Sequence, residues 1–320
     1  MTNPRIERLF EHTKLLCFGR YVLAVPLDSR LAFGRDFPTL PNQAKHIEKV
    51  MESERAKILK ADKTAEVTYF GKGPAPNTWL IRSYENISAK ELELEAFDVY
   101  YIVGPHIFVG GDATTKSSNT TADSILQRTI DVAKNLRARE PDEVPTEQGL
   151  CHQFGFRRLD GAKGNVLTQV GLHIAALPDV VFSVQSNQTV NANFPGNSDG
   201  LLKLIADRKR EAGSNYPRLT TLREGKRKVH GWDGEESLVR RPDGTQDFEW
   251  MFIGENGGSV ARPGNLSVTM RTKVEADRIG AAKASSLNDE EAIALWDKLL
   301  EGLKFRVAVP GAPADAVAIK

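Results

Sequence analysis

With two cysteines in 320 residues, the chain has no disulfide framework to rely on and must stabilise itself by burying apolar surface. At that length it can do so in two domains of ordinary size. Charge of one sign is also missing. Forty-three basic residues face 42 acidic ones, and a net charge of +1 gives no general attraction to nucleic acid or anionic lipid. No apolar run approaches the ~20 residues needed to cross hydrocarbon. The opening Met1–Phe10 lacks the apolar core and cleavage site of a secretory leader. The chain is then either cytoplasmic or a mature region expressed without its leader. His12, His46, His106, His152 and His173 occur singly, without metal-ligand spacing. Gly104, Gly110 and Gly111 lack the arrangement that cradles nucleotide phosphates. Neither a metal nor an organic cofactor is expected.

What is present looks duplicated. Cys17 opens Cys-Phe-Gly-Arg-Tyr-Val-Leu-Ala-Val, and Cys151 opens Cys-His-Gln-Phe-Gly-Phe-Arg-Arg-Leu. Each begins a run of strand, helix, several strands and helix. The two prolines and the charges of Arg139–Pro145 read as a linker, which divides the chain into residues 1–145 and 146–320. The absence of steady strand-helix alternation argues against a doubly wound fold. The expected class is α+β, with two related domains, each an antiparallel-rich sheet carrying helices on one face. Cys17 and Cys151 occupy equivalent places in the two halves. They read either as small buried hydrophobes or as an interdomain bridge, the latter only in an oxidising compartment.

In the first half, strands are expected at Leu15–Val25, Leu31–Arg35, Glu66–Phe70, Asn77–Ser83, Leu92–Val103 and His106–Gly110, with a hairpin turn at Gly104-Pro105. Helices are expected from Asn42 to Lys60 and from Thr121 to Leu136, each with an apolar stripe of helical period. In the second half, strands are expected at Gln153–Leu159, Val166–Ile174, Val180–Asn187, Glu236–Arg240, Phe248–Phe252 and Leu266–Met270. The turns Asp160–Gly164, Asp243-Gly244 and Asn256-Gly257-Gly258 punctuate this series. Ser198-Asp199-Gly200 suits the cap of a helix over Leu201–Ala212, and Asn288–Glu291 opens a terminal helix. The tail from Pro310 reads as loosely held.

Three segments invite a functional reading. Arg208, Lys209, Arg210, Arg218, Arg223, Lys226, Arg227 and Lys228 face only Glu211 and Glu224. This run is either a solvated helix end and hairpin or a patch for an acidic partner, a phosphate or a lipid headgroup. Gly196-Asn197-Ser198-Asp199-Gly200 fits the serine-hydrolase elbow pattern, with His230 as the one later histidine. Loop chemistry at Asn191–Pro195 precedes it where a buried strand is required, so capping is the better role for Ser198 or Asp199. In His230-Gly231-Trp232-Asp233-Gly234-Glu235-Glu236, the glycines suit a tight turn. The adjacent glutamates point to opposite faces of a strand. One is expected to be buried as an anchor, with Arg240 or Arg271 as partners for Glu236, while the other faces water. Trp232, Trp250 and Trp296 read as core or loop anchors.

The opening Cys17-Phe18-Gly19-Arg20-Tyr21-Val22 resembles the start of Tli-type immunity proteins of the bacterial type VI secretion system. The second half is similar to that family's C-terminal domain through Cys151, Gly155-Phe156, Leu177-Pro178-Asp179-Val180, His230–Glu236, Phe248-Glu249-Trp250, Met270-Arg271-Thr272 and Trp296-Asp297. The likeness spans roughly Cys17 to Arg306. It implies a non-catalytic, periplasmic protein that binds a cognate lipase or phospholipase effector as a 1:1 heterodimer and inhibits it. Its two domains would act as a clamp around the active-site entrance or lid. It implies a structural role for Cys17, Gly19, Arg20, Cys151, Gly231, Trp232, Gly234, Glu235, Glu236 and Trp250. The alternatives from the residues themselves are a serine hydrolase using Ser198 and His230, or a phosphate- or lipid-headgroup-binding protein, and the alternative location is the cytoplasm.

Overall fold

A computed structural model describes residues 3–115, 120–160, 167–187, 200–255, 259–272 and 285–319. The elements begin with α1 (Pro4–Leu9), β1 (Thr13–Phe18), β2 (Tyr21–Pro26), β3 (Ser29–Arg35) and β4 (Thr39–Leu40). Next come α2 (Ile47–Ala61), β5 (Glu66–Lys72), β6 (Thr78–Tyr84), α3 (Ile87–Glu91), β7 (Ala96–Val103) and β8 (His106–Ala113). The middle of the chain holds α4 (Ala122–Asn135), β9 (Leu136–Ala138), β10 (Gly149–Cys151), β11 (Gly155–Arg158), β12 (Leu167–Ile174) and β13 (Leu177–Asn187). The last part holds α5 (Leu201–Ala212), β14 (Thr220–Val229), β15 (Trp232–Arg240), β16 (Gln246–Ile253), β17 (Asn265–Thr272), α6 (Asp289–Gly302) and β18 (Leu303–Phe305). This is a mixed α+β chain of antiparallel sheets with packed helices.

Two compact units emerge, and they are not the two consecutive halves. One comprises Met1–Asp36, Asp142–Cys151 and Leu159–Lys320; the other comprises Phe37–Pro141 and His152–Arg158. The division at residue 145 therefore does not coincide with the units. The reason is pairing across a long sequence distance. β3 pairs antiparallel with β12, Leu31 opposite Leu172, which draws the N-terminal strands into the sheet of the second half. The chain leaves this first unit after β3, builds Phe37–Pro141 of the second, returns for Asp142–Cys151, crosses once more for His152–Arg158 and ends in the first.

The first unit has a seven-stranded sheet in the order β14-β15-β16-β17-β13-β12-β3 and a three-stranded sheet β1-β2-β18. Strict alternation makes one face of the large sheet apolar: Phe248, Trp250, Phe252, Leu266, Val268, Met270, Phe182 and Val184 are buried. The core cluster joins them to Leu295, Trp296, Leu299 and Leu300 of α6 and to Tyr21, Leu23 and Phe305 of the small sheet. At ~25 cal/mol per Å², burying each such side chain contributes roughly 1.5–3 kcal/mol. Asn288 and Glu291 close α6 with a reciprocal capping box. The tail is not loose. Phe305 bridges Val317, Ala318 N–H donates to Phe305, and Ala316 is buried.

Cys17 and Cys151 are neither separate thiols nor a bridge between two domains. They form a disulfide inside the first unit, 134 residues apart in sequence, beside a two-way backbone bridge between Gly19 and Cys151. Gly19 sits at φ +49°, and a Cβ there would meet Thr168 Oγ1 at 2.7 Å, so only glycine makes this approach.

In the second unit the order is β4-β8-β7-β6-β5. Alternation here serves two cores. Leu80, Phe97, Val99, Tyr101 and Phe108 pack with Ile125 of α4, while Trp79, Ile81, Tyr100 and Ile107 pack with Met51 of α2. Helices thus cover both faces of this sheet rather than one, because both faces of β6 and β7 carry large apolar side chains. β9 pairs with β11 in the same unit.

Candidate functional site

The unusual chemistry of the sequence converges on β14 and β15, a long hairpin closed by His230 and Gly231, with His230 at φ 49°. Thr220–Val229 has little apolar content, so no hydrophobic pattern marks this basic run as a strand. Its period-two alternation is nevertheless decisive. Arg223 and Arg227 point to the face covered by α6, whereas Glu224, Lys226 and Lys228 point the opposite way and are exposed.

On the α6 side, Glu236 is the centre of a buried ionic cluster, its side chain 6% exposed. Arg223 Nε lies 2.6 Å from Glu236 Oε1, and Arg227 Nη1 lies 2.8 Å from Oε2. The same guanidiniums reach Asp297 of α6 at 2.6 Å each. Trp296 Nε1 donates to Glu236 at 3.2 Å. Burial by itself drives a carboxylate upward, but the hydrogen bond and charge of Arg223 and Arg227 outweigh it and hold Asp297 below the usual range. Burial likewise opposes the charge of Arg223, and Asp297 with Glu236 reverses the balance and raises it. The expected partners of Glu236 were different. Arg271 pairs with Asp247 on the opposite face, and Arg240 pairs with Asp289 at the strand end. Four residues along a strand is ~13 Å, too far for Arg240 to turn back.

Glu235 does not simply face water. Its carboxylate accepts the N–H of Leu202 at 2.9 Å, satisfying an orphan donor in the first turn of α5. The helix begins at Gly200 with no side-chain cap. Ser198 and Asp199, offered as caps or as a nucleophile, lie outside the described residues, as do the Asn256–Gly258 turn and residues 161–164 of the Asp160–Gly164 turn. His230 shares a 2.9 Å hydrogen bond with the carbonyl of Glu301. Among the described residues no three His, Cys, Asp or Glu side chains gather to hold a metal, and no helix is long and apolar enough to cross a membrane.

The motif around Trp232 is packing. Trp232 is buried, donates to the Ala261 carbonyl at 3.0 Å and meets the rings of Tyr21 and Phe305. Gly234 is required by its neighbour: a Cβ there would stand 2.5 Å from the Trp250 ring. Trp250 closes over it and donates to the Arg227 carbonyl. Gly231 lies at the turn, and Arg20 is buried, its guanidinium held below its ordinary value by that burial. The family likeness includes Asp179 and ends at Arg306, but the roles of these two residues emerge only from the fold. Asp179 is buried and accepts both the N–H and hydroxyl of Ser286, pinning the approach to α6. Arg306, also fully buried, donates to the carbonyls of Pro145 and Gly149. A charged residue in an otherwise apolar strand end was the available signal for both.

On the other face of the sheet, α5 lies over β15, and between them is a cavity of about 670 Å³. Its lining includes Ile205, Arg208, Lys209 and Arg218 together with Asp247, Glu249 and Arg271 from the strands. Asp247 pairs with Arg241 and Arg271. Burial raises the Glu249 carboxyl above its ordinary value, against the nearby charge of Arg208. Arg208, Lys209 and Arg218 are exposed and have no ion partner among the described residues, while Arg210 pairs with Asp207.

Residues 143–308 match the family described as Tle cognate immunity protein 4 C-terminal domain, and this span carries the hairpin, the ionic cluster and α6. The chain belongs to that family. No curated protein matches it. Solved structures share the fold over 92% of the chain. The apo immunity protein TplEi of the type VI secretion system from Pseudomonas aeruginosa is 20% identical, with a TM-score of 0.70 over 97% of its own chain. The same protein complexed with an "L" peptide gives 0.69 at 20% identity over 99% of its chain. A chain of a Tle4–Tli4 complex gives 0.68 at 21% identity over 97% of its chain.

Proposed function

We propose that this chain is an immunity protein that binds a cognate type VI lipase effector and inhibits it stoichiometrically, without catalysis of its own. The observation that carries this reading is the family match over residues 143–308, which contains the first unit's large sheet up to its join with β3. The fold shared with immunity proteins across 92% of the chain supports it. Two compact units supply two separate surfaces for one partner. Engaging both raises the effective concentration of the second contact, which favours a clamp over the effector's active-site entrance or lid. The periplasm is the compartment we assign, supported by the disulfide, which persists in an oxidising environment.

The test is co-purification of the whole chain with its cognate lipase and titration of lipase turnover. A 1:1 complex with activity falling to background at equivalence is expected; full turnover in excess chain refutes the reading. Division at residue 145 is a poor test of the clamp. It separates β3 from β12 and Cys17 from Cys151, so neither half retains the first unit. Surface charge reversals confined to one unit at a time preserve both folds and show whether each contributes to affinity.

A further inference from the structure

The cavity beside α5 has a charge pattern that the rest of the chain does not need. At its rim Arg208, Lys209 and Arg218 are exposed and have no ion partner at contact distance among the described residues, with Glu224 the one exposed carboxylate in the same lining. At its floor the carboxylate of Asp247 is already committed to Arg241 and Arg271. Glu249 is a half-buried carboxylate within reach of the charges of Arg208 and Arg271, with no ion pair at contact distance among the described residues. The ionic cluster around Glu236 consumes Arg223 and Arg227 on the opposite face, so of the basic segment it is Arg208, Lys209 and Arg218 that line this cavity, while Lys226 and Lys228 lie outside its lining. The space of about 670 Å³ is open to solvent on one side, which suits a loop tip better than an enclosed small molecule.

We propose that this cavity receives a surface loop of the effector whose acidic side chains engage Arg208 and Arg218 at the rim while an uncharged tip enters toward Glu249. The inference rests on the immunity reading and names the chemistry by which the partner is recognised. Complementarity decides the arrangement. Carboxylates on the loop find unpaired guanidiniums capable of bidentate hydrogen bonds. They are kept out of the floor by Asp247 and Glu249. The floor carboxylate instead accepts N–H or O–H groups of the tip. A phosphate or headgroup suits the site less well, because its multiple charge would lie against those two acids.

The experiment uses the full chain with Arg208→Glu and Arg218→Glu combined, beside a control of equal charge change, Lys226→Glu with Lys228→Glu, outside the cavity lining. Association with the cognate lipase is followed at low and high salt. A labelled peptide with glutamates flanking a Gly-Ser tip is titrated separately, against its lysine counterpart and against inorganic phosphate. The cavity variant is expected to lose about tenfold or more in affinity, mainly by faster dissociation, while the control slows association only and loses its effect in high salt. The acidic peptide should bind the parent and not the cavity variant. Equal lipase affinity of parent and cavity variant overturns the proposal while leaving the immunity reading intact. If the lipase binds neither, the immunity reading falls, and the peptide decides the cavity alone: saturable binding lost in the variant supports it. No preference for the acidic peptide, or displacement of it by millimolar phosphate, overturns it.

Discussion

Replacing Glu236 by Gln removes one charge while keeping the shape and the acceptor for Trp296, so it isolates the ionic contribution of the cluster. In the native chain this carboxylate, 6% exposed, faces Arg223 and Arg227, which are 34% and 21% exposed. Breaking a fully buried pair costs about 3–5 kcal/mol, chiefly because the remaining charge is uncompensated. Here the two guanidiniums keep Asp297 and partial access to water, which reduces the expected loss to about 2–3 kcal/mol. That is a large share of the ~5–15 kcal/mol of an ordinary fold. For a unit of this size it corresponds to roughly 5–10 °C in melting temperature. Far-UV circular dichroism during urea and thermal unfolding measures it. Adding Asp297→Asn should cost more than the sum of the single changes, since both arginines then lose every nearby carboxylate. A Glu236→Gln variant that unfolds with the parent, or strict additivity in the double variant, would refute the cluster's structural role.

Two further outcomes follow from the same unit. Cys17→Ala with Cys151→Ala should destabilise the chain by about 3–5 kcal/mol, the chain-entropy limit for so long a loop being about 5 kcal/mol; urea unfolding of the parent with and without dithiothreitol should show the same gap. Because Asp297 titrates below its ordinary value in the folded chain, the unfolded chain takes up the proton first as pH falls. Its stabilisation is complete above the usual carboxylate range and drains away through the lower folded value, so Asp297→Asn should flatten the acid limb of a stability-pH profile measured by denaturation.

Local pattern and long-range pairing were not equally legible. Alternating apolar residues announce β12, β13, β16 and β17, because a half-buried strand imposes that period directly on the sequence. The helices α4 and α6 are visible from their stripes and opening residues. The assignment of β3 to a sheet formed mostly more than a hundred residues later is not visible, since Leu31 and Phe33 suit any apolar partner strand. That pairing turns two consecutive halves into one unit interrupted by another. It also turns Cys17 and Cys151 from counterparts in a duplication into partners in one crosslink. Charged strands are the other blind spot. β14 has the right period in its charges, but hydrophobic periodicity does not register lysine and arginine.

β14 also divides one basic segment between two environments. A helix would have spread Arg223 to Lys228 around its surface, with no sharp division between buried and solvent-facing cations. A strand alternates them, so Arg223 and Arg227 fall on one face and Lys226 and Lys228 on the other. The inward pair then needs acids from elsewhere, and β15 and α6 supply Glu236 and Asp297 at 2.6–2.8 Å. Once those arginines are held, the hairpin cannot slip by one residue without exchanging its inward guanidiniums for Glu224 and the lysines. The ionic cluster thereby fixes the register of the sheet whose opposite face carries α5 and its cavity. Buried pairs of this kind contribute little net stability over an apolar core but penalise the wrong pairing heavily. The value of Glu236 to the fold lies in that penalty, because every surface carried by an edge hairpin is only as well defined as the hairpin's register.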